Sequence, residues 1–306
     1  GYATKIVAFS KNVNDSLKFD ANIEIALMYF RKKKLDSLKK YSFLAKQNAE
    51  VLNNLNSTQK AHFYIATYYR YKEIQDSAYY HYNTSKNILL NLGNTYEAAR
   101  RMTNIAIIQF REKDLLGAEI TIINALKYLE KSNLNSTKAN LYNNLGLIYK
   151  TRKEYKDALK YFELSLNFLN KCEVNDNTIK SKINYYNNVA LVYQREKKYK
   201  KANSILRKGL KIDSIKEFFP YYYVGLLQNL TLNNYNLNNE KDLLSNYNKV
   251  IEISKKVSNI KFVVSTYNIL ASYFKDKKNY RKAMFYAKEG LKYSKKSSFN
   301  SRTLEA

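Results

Sequence analysis

Residues 144–149 read Asn-Leu-Gly-Leu-Ile-Tyr, and Ala158 follows the glycine of this stretch by twelve residues. The pattern recurs in degenerate form along the chain, at steps of 40, 40, 40, 44, 41 and 40 residues. The residue that opens each unit is Ala26, Ala66, Ala106, Gly146, Ala190, Thr231 or Ala271. Its partner twelve positions later is Leu38, Ala78, Ala118, Ala158, Ala202, Leu243 or Ala283. A regular period of roughly 20 to 50 residues predicts a solenoid of stacked units.

The composition favours an all-helical chain. One proline and seven glycines in 306 residues leave few helix breakers, and alternating strand patterns are absent. Pro220 lies between the fifth and sixth units, where one helix must end and another begin. The extra residues before Ala190 coincide with the polar stretch 174–178. This stretch predicts a longer surface loop, with a functional insertion as the alternative.

Further features of the unit point to a family. An aromatic or apolar residue lies four positions before the small one, as at Tyr142 and Tyr267, and an aromatic residue often lies three positions after it, as at Tyr149. Small residues at one position of each helix allow the two helices of a hairpin to cross closely. The pattern resembles the tetratricopeptide repeat over residues 19–303. Its longer period is similar to the subclass found in kinesin light chains, spindle-orientation adaptors and bacterial peptide-sensing regulators.

The resemblance implies a right-handed superhelical solenoid of antiparallel helix hairpins. We predict a helical lead-in or cap over residues 1–18, seven hairpins over 19–303, and the start of a truncated eighth repeat at 304–306. Each repeat packs only on its neighbours, so an internal domain boundary is not required. The sequence contains no run of eighteen apolar residues, and we therefore expect no membrane span within it.

Ligands of this family commonly lie against the first helix of each hairpin, and this chain places amides there. With the small residue numbered eight, the sixth position holds Asn104, Asn144, Asn188 and Asn229 in four consecutive units. The fifth position adds Asn143, Asn187, Gln228 and Asn268. A ladder of amides can pair with successive peptide groups of an extended chain. The alternative is that these amides hold the repeats together.

Cations and apolar residues flank the amides. The twelfth and thirteenth positions provide Arg70, Arg111, Lys150, Arg195 and Lys275, and the ninth position gives an apolar floor in the middle units. This combination predicts binding of a protein or extended peptide with acidic or carboxylate groups. The family's chaperone-binding clamp needs a lysine and an asparagine at the fifth and ninth positions of one unit. That pair is absent from the sequence, so a heat-shock co-chaperone is disfavoured.

The net charge of +27 is the strongest compositional feature. Many of the cations fall in turns inside the hairpins, at 31–34, 152–156, 195–201 and 275–282. Stacked turns could form a basic ridge that binds phosphates or anionic lipid. We favour a solvated edge. Thirty tyrosines could stack on nucleic-acid bases, but their repeat positions favour packing between helices, and we extend that interpretation to the aromatic run at 218–223.

The sequence indicates no catalytic residue, metal ligand set or cofactor site. His62 and His81 have no metal-ligand spacing around them and are interpreted as surface or interhelical residues. Cys172 is the single cysteine, so a disulfide within the chain is impossible. Glycine-rich phosphate loops and nucleophile elbows are also absent.

These observations predict a non-catalytic scaffold that binds proteins or peptides. By family resemblance, we expect the sensing or partner-binding region of a larger bacterial regulator, such as a sensor histidine kinase or a helix-turn-helix transcription regulator. We favour an extracytoplasmic location over a cytoplasmic one. The alternatives are a free-standing assembly scaffold and a nucleic-acid-binding solenoid.

Overall fold

Helices, most of them 15 to 20 residues long and joined by short turns, make up the computed structural model of this protein. The structure describes residues 14–213, 215–256 and 260–303, and these residues form fifteen helices and no strand. The helices are α1 (Asp15–Arg31), α2 (Leu35–Val51), α3 (Leu55–Tyr71), α4 (Gln75–Asn91), α5 (Thr95–Arg111), α6 (Leu115–Leu129), α7 (Asn135–Thr151), α8 (Tyr155–Leu169), α9 (Asp176–Arg195), α10 (Tyr199–Leu210), α11 (Ile215–Phe218), α12 (Pro220–Asn236), α13 (Glu240–Lys256), α14 (Ile260–Asp276) and α15 (Tyr280–Thr303). The all-α class is confirmed.

The helices pair as hairpins within two compact units, residues 1–153 and 154–306. In the first unit, α1 packs on α2, α3 on α4, and α5 on α6, with α7 following. In the second unit, α9 packs on α10, α12 on α13, and α14 on α15, with α8 preceding. Successive hairpins of a unit also contact each other, as a stacked repeat requires.

The small positions of the repeat lie where the helices of a hairpin pack. In the first unit, Ala26, Ala66, Leu38, Ala78 and Ala118 are fully buried. In the second unit, Ala190, Ala202, Thr231 and Leu243 are also fully buried. The last hairpin is looser, because Ala271 and Ala283 are only half-buried. Burial at both positions of the pair supports the repeat register.

The turns follow a period half as long as the sequence repeat. A residue with positive φ ends each of the first five helices, at Lys33, Asn53, Glu73, Gly93 and Lys113. At Gly93 the backbone N–H donates to Leu90 O at 3.0 Å, and the next N–H donates to Leu89 O at 2.8 Å. Such a Schellman turn satisfies carbonyls that the helix end leaves unpaired. Over these helices, the 40-residue period therefore consists of two helix-plus-turn units of equal length.

The predicted loop at 174–178 is partly wrong. The helix α8 ends at Leu169 and α9 begins at Asp176, so only the first part of this stretch lies in the connection. Asn175 Oδ1 accepts hydrogen bonds from the backbone N–H groups of Asn177 and Thr178, both at 3.0 Å. This N-cap starts the helix early, and α9 has 20 residues. The inserted residues thus lengthen a helix as well as a loop.

The predictions for the two ends of the chain fall partly outside the residues that the structure describes. The helix α1 begins at Asp15, so residues 15–18 continue directly into the first hairpin. Residues 1–13 of the predicted lead-in, and residues 304–306 of the predicted eighth repeat, lie outside the described residues. Pro220 occupies the first position of α12, as expected for a helix start. Among the described residues, no helix combines the length and hydrophobicity needed to cross a membrane.

Candidate functional site

The first helices of the third and fourth hairpins, α5 and α7, pack side by side in the first unit. Between them lies a polar pocket of about 450 Å³. It is lined by Arg100, Thr103, Asn104 and Ile107 of α5 and by Ser136, Thr137, Asn140 and Asn144 of α7. Two of the predicted binding residues, Asn104 and Asn144, therefore line one cavity.

A second and more apolar pocket, of about 230 Å³, continues the first along the same helices. It is lined by Ala106, Ile107, Phe110, Arg111, Ile122, Asn144, Leu147 and Ile148. Because Ile107 and Asn144 line both pockets, the two form one surface, which we call the α5–α7 groove. The predicted apolar floor and the predicted cation Arg111 meet in its apolar part.

The α5–α7 groove has a guanidinium group near each end. Arg100 forms an ion pair with Glu97 at 2.7 Å, and its backbone carbonyl accepts a hydrogen bond from Asn104 Nδ2 at 3.3 Å. Arg111 is exposed at the end of α5. Eleven residues of helix separate the two arginines, which corresponds to about 16 Å along the axis. The groove can therefore offer amides in its middle and cations at its ends.

The second unit holds a comparable pocket of about 250 Å³. Its lining comes from α9, α12 and α14 and consists of Ile183, Asn184, Asn187, Tyr221, Tyr222, Gly225, Leu226, Gln228, Asn229 and Phe262. Asn229 Nδ2 donates to Asn187 Oδ1 at 2.7 Å. Here the amides join neighbouring hairpins and line a pocket at the same time. Each carboxamide has more donor and acceptor capacity than this one bond uses.

The other predicted binding residues lie outside these linings. Asn143, Asn188 and Lys150 interact with other groups of the chain. The remaining four are Arg70, whose guanidinium lies 4.8 Å from the Tyr71 ring centroid, and the exposed Arg195, Asn268 and Lys275. The structure therefore brings together three predicted residues in the first unit and three in the second. It does not gather all thirteen in one site.

Comparisons with known proteins agree with this architecture. Residues 139–169 and 183–215 each match a tetratricopeptide-repeat family model. These two stretches are tetratricopeptide repeats. The first match spans the two helices of the fourth repeat, and the second covers most of the fifth. No curated protein sequence matches the chain.

Solved structures share the fold over nearly the whole chain. The apo form of the quorum sensor NprR from B. thuringiensis has a TM-score of 0.73 at 17% identity, covering 95% of this chain and 80% of NprR. The apo form of RapI has a TM-score of 0.68 at 17% identity, covering 92% and 98%. A Rap protein complexed with Competence and Sporulation Factor has a TM-score of 0.62 at 15% identity, covering 96% and 79%. These likenesses show the fold.

Sequence reasoning missed one position of the tetratricopeptide repeat that lines both sites. The second position holds Arg100, Asn140, Asn184 and Gly225, and all four contribute to pocket linings. This position lies one helical turn before the sixth and therefore shares its face. The i, i+4 relation could have identified it. Ser136 and Thr137 lie before the first position of the repeat unit, so no such spacing could have identified them.

The aromatic run at 218–223 divides between packing and exposure. Phe219 is buried, and Tyr222 and Tyr223 pack partly buried against the core of the second unit. Phe218 and Tyr221 are 73% and 56% exposed. The Tyr221 ring lies 5.2 Å from that of Phe262, and both line the pocket of this unit. Packing therefore accounts for three of the five aromatic residues.

The two histidines form a pair between the helices of the second hairpin. His62 Nδ1 and His81 Nδ1 are hydrogen-bonded at 2.9 Å. Burial and the nearby His62 lower the pKa of His81 to about 4, and burial also lowers the pKa of His62. The structure therefore shows His62 and His81 as interhelical residues. The described residues contain no group of three or more His, Cys, Asp or Glu side chains suited to a metal ion.

The predicted basic ridge is interrupted within each unit. In the first unit, cations of the turns alternate with acids, as at Glu73 and Asp114. In the second unit, the turn at 237–239 reads Leu-Asn-Asn and carries no cation. Arg152 is also occupied, since its guanidinium pairs with Glu119 at 2.6 Å. These positions favour a solvated edge over a continuous phosphate-binding surface.

Proposed function

We propose that this chain binds a peptide segment of a partner along the α5–α7 groove. The observation that carries the proposal is the continuity of a polar and an apolar pocket on the first helices of two neighbouring tetratricopeptide repeats. The similarity to a quorum sensor, and to a Rap protein solved with Competence and Sporulation Factor, supports a binding role by analogy.

The lining of the groove defines the chemistry of the ligand. An apolar side chain would enter the pocket beside Phe110 and Leu147, and peptide groups would pair with the carboxamides of Asn104 and Asn144. A carboxylate would bind the guanidinium of Arg111. An extended segment of about five residues spans the distance of about 16 Å between the two arginines.

We infer a sensing or partner-binding region of a larger bacterial regulator, located outside the cytoplasm, with no catalytic role of its own. Resemblance to tetratricopeptide-repeat sensors supports this context. An output domain encoded in the same gene would agree with it, and a gene that encodes only repeats would support a free-standing scaffold instead.

Peptide selection provides the test. A phage-displayed random dodecapeptide library is selected on the immobilised chain, and the enriched peptides are measured by fluorescence polarisation. We expect the double substitution Asn104→Ala and Asn144→Ala to weaken binding about 5- to 150-fold, since each lost hydrogen bond costs about 0.5–1.5 kcal/mol. The melting temperature should stay unchanged.

A matched control uses two exposed asparagines of α4, Asn87 and Asn91. Replacing both by Ala should leave the affinity of the enriched peptides unchanged. The proposal fails if the library yields no specific peptide, or if the control variant loses as much affinity as the groove variant.

A further inference from the structure

The second helix of the third hairpin, α6, presents an apolar stripe to solvent. Leu116, Ile120, Ile123 and Tyr128 are exposed by 64%, 52%, 42% and 38%. The i, i+4, i+7 spacing of Leu116, Ile120 and Ile123 places these three along one side of the helix, and Tyr128 lies beside that side. The opposite side, with Ala118, Ile122, Ala125 and Leu129, is fully buried. A helix with apolar residues on two opposite sides is typical of one that is covered on both.

Among the described residues, no other second helix carries all three apolar residues of the stripe, although Tyr80 of α4 and Phe285 of α15 hold the position of Ile120 and are exposed. By repeat register, Leu116, Ile120 and Ile123 correspond in α2 to Asp36, Lys40 and Phe43. The same positions are Lys156, Lys160 and Glu163 in α8, and Lys200, Ser204 and Arg207 in α10. Packing between repeats therefore does not require apolar residues there. The stripe is a property of α6 and calls for a partner surface.

We propose that the stripe binds a second copy of this chain, with the two α6 helices antiparallel. In an isologous pair the same patch serves both copies. Placing Ile120 opposite Ile123 of the partner subunit, and Ile123 opposite Ile120 of the partner subunit, brings the apolar stripes together over a helix of about 22 Å.

Charges at both ends of α6 support this arrangement. The exposed pair Glu112 and Lys113 precedes the helix, and the exposed pair Glu130 and Lys131 follows it. The antiparallel register brings Lys113 opposite Glu130 of the partner subunit and Glu112 opposite Lys131 of the partner subunit. A parallel pair would instead place like charges together, which is unfavourable. The complementarity therefore selects a second copy in antiparallel orientation.

The net charge determines how self-association should depend on salt concentration. Two chains of +27 repel each other over long distances, and salt screens this repulsion, with a Debye length of about 10 Å at 0.1 M. Apolar contacts do not weaken in the same way. Self-association through α6 should therefore strengthen with salt, whereas binding of an acidic partner would weaken.

Sedimentation equilibrium of the full chain between about 50 and 500 mM NaCl tests the proposal. We expect a dimer whose dissociation constant falls as salt rises. The double substitution Ile120→Glu and Ile123→Glu should raise that constant at least about tenfold, because two carboxylates would lose their water in the apolar contact. The matched variant Tyr80→Glu, at the equivalent exposed position of α4, should leave it unchanged. A wild-type chain that stays monomeric, association that weakens with salt, or a dimer unaffected by the two glutamates would each overturn the proposal.

Charge exchange tests the register. Lys113→Glu and Glu130→Lys should each weaken the dimer, by up to about tenfold, because each turns two attractive pairs into repulsive ones. The combined variant restores both pairs and has the net charge of the wild type, so it should return to wild-type affinity. Glu73 occupies the turn position equivalent to Lys113 at φ 59°, so glutamate suits this backbone. A combined variant weaker than both single variants would exclude the antiparallel register.

Discussion

The histidine pair of the second hairpin shows how a single contact can make stability depend on pH. Nδ1 of His62 and Nδ1 of His81 share one hydrogen bond at 2.9 Å, which requires one nitrogen to donate and the other to accept. The ring of His81 also stacks on Tyr69 with centroids 5.7 Å apart. A further proton would place a charge in a partly buried site, and on the accepting Nδ1 it would also break the hydrogen bond. Lys46, on the neighbouring α2, further disfavours that charge, while Glu50 opposes this effect at His62.

The pair should therefore destabilise the fold in mild acid. An unfolded histidine has a pKa of about 6.5, whereas burial lowers the pKa of His81 to about 4 in the folded chain. The unfolded state then binds more protons between these values, so stability is complete above pH 6.5 and falls as the pH drops toward 4. Solvent screening reduces the effect, since His81 is partly exposed. We therefore expect the free energy of unfolding to fall by an amount on the order of 1 kcal/mol. Thermal melts at pH 7.5 and pH 5 measure it.

The substitution His81→Asn isolates this effect. Asparagine can place an amide near the position of Nδ1 and retain a hydrogen bond to His62, but it does not titrate. The variant should lose less stability than the wild type between the two pH values. Equal losses in both proteins would show that other groups cause the acid sensitivity.

Contacts that do not recur from repeat to repeat were the hardest to predict from the sequence. The small positions recur in every repeat, and their burial in the first six hairpins followed from that periodicity, whereas the two histidines lie nineteen positions apart on different helices. Lys138 is a similar case, because lysine is rarely buried. It is only 8% exposed, and its Nζ donates to the carbonyls of Glu130 and Ser132 at 3.0 and 2.8 Å. The lysine thereby satisfies carbonyls at the end of α6, a role that has no periodic signal.

At the scale of an element, the close packing of a hairpin depends on its small residues. Ala78 of α4 is fully buried and belongs to a cluster with Ala66, Tyr82, Ile105 and Ile108. These residues come from three helices, so a larger side chain at position 78 cannot be accommodated by moving one neighbour alone. Protein interiors are packed at nearly crystalline density, and added methylene groups force side chains and backbone apart.

We therefore expect Ala78→Leu to destabilise the chain by roughly 1–3 kcal/mol. Urea unfolding followed by circular dichroism measures the loss. Ala283→Leu is the matched control, because Ala283 holds the same repeat position in the last hairpin and is only half-buried. The substitution Ala283→Leu should lower the free energy of unfolding clearly less than Ala78→Leu. Equal costs would mean that burial at this position does not control the packing of the hairpin.

For the whole molecule, periodicity predicted the fold more fully than the candidate site. Hydrophobic and small residues recur at each repeat, so the hairpins and their register follow from spacing alone. A binding groove depends on positions where individual repeats differ. Asn104, Asn144 and Arg111 were predicted and line the α5–α7 groove, but Arg100 and Asn140 were not, because the second position shows no common residue type. The hydrogen bond between Asn229 and Asn187 could not be predicted either, since it depends on how two hairpins stack.

The net charge of +27 is a property of the whole molecule. Its turn clusters are interrupted by acids in the first unit and by an uncharged turn in the second. A phosphate backbone needs a continuous row of cations to form many simultaneous contacts. The charge should therefore attract nucleic acid only through counterion release, with no defined site.

Oligonucleotide binding should accordingly be weak, independent of sequence and lost as salt rises through about 150–200 mM. Fluorescence polarisation with labelled single-stranded and duplex oligonucleotides measures it. Replacing Lys197, Lys198, Lys200 and Lys201 by Glu changes the net charge as much as replacing the dispersed, exposed Lys60, Lys160, Lys208 and Lys249. Both variants should lose the residual binding equally if the charge acts as a diffuse field. A selective loss in the clustered variant, with tight binding of the wild type above 200 mM salt, would instead establish the turn between α9 and α10 as a nucleic-acid site.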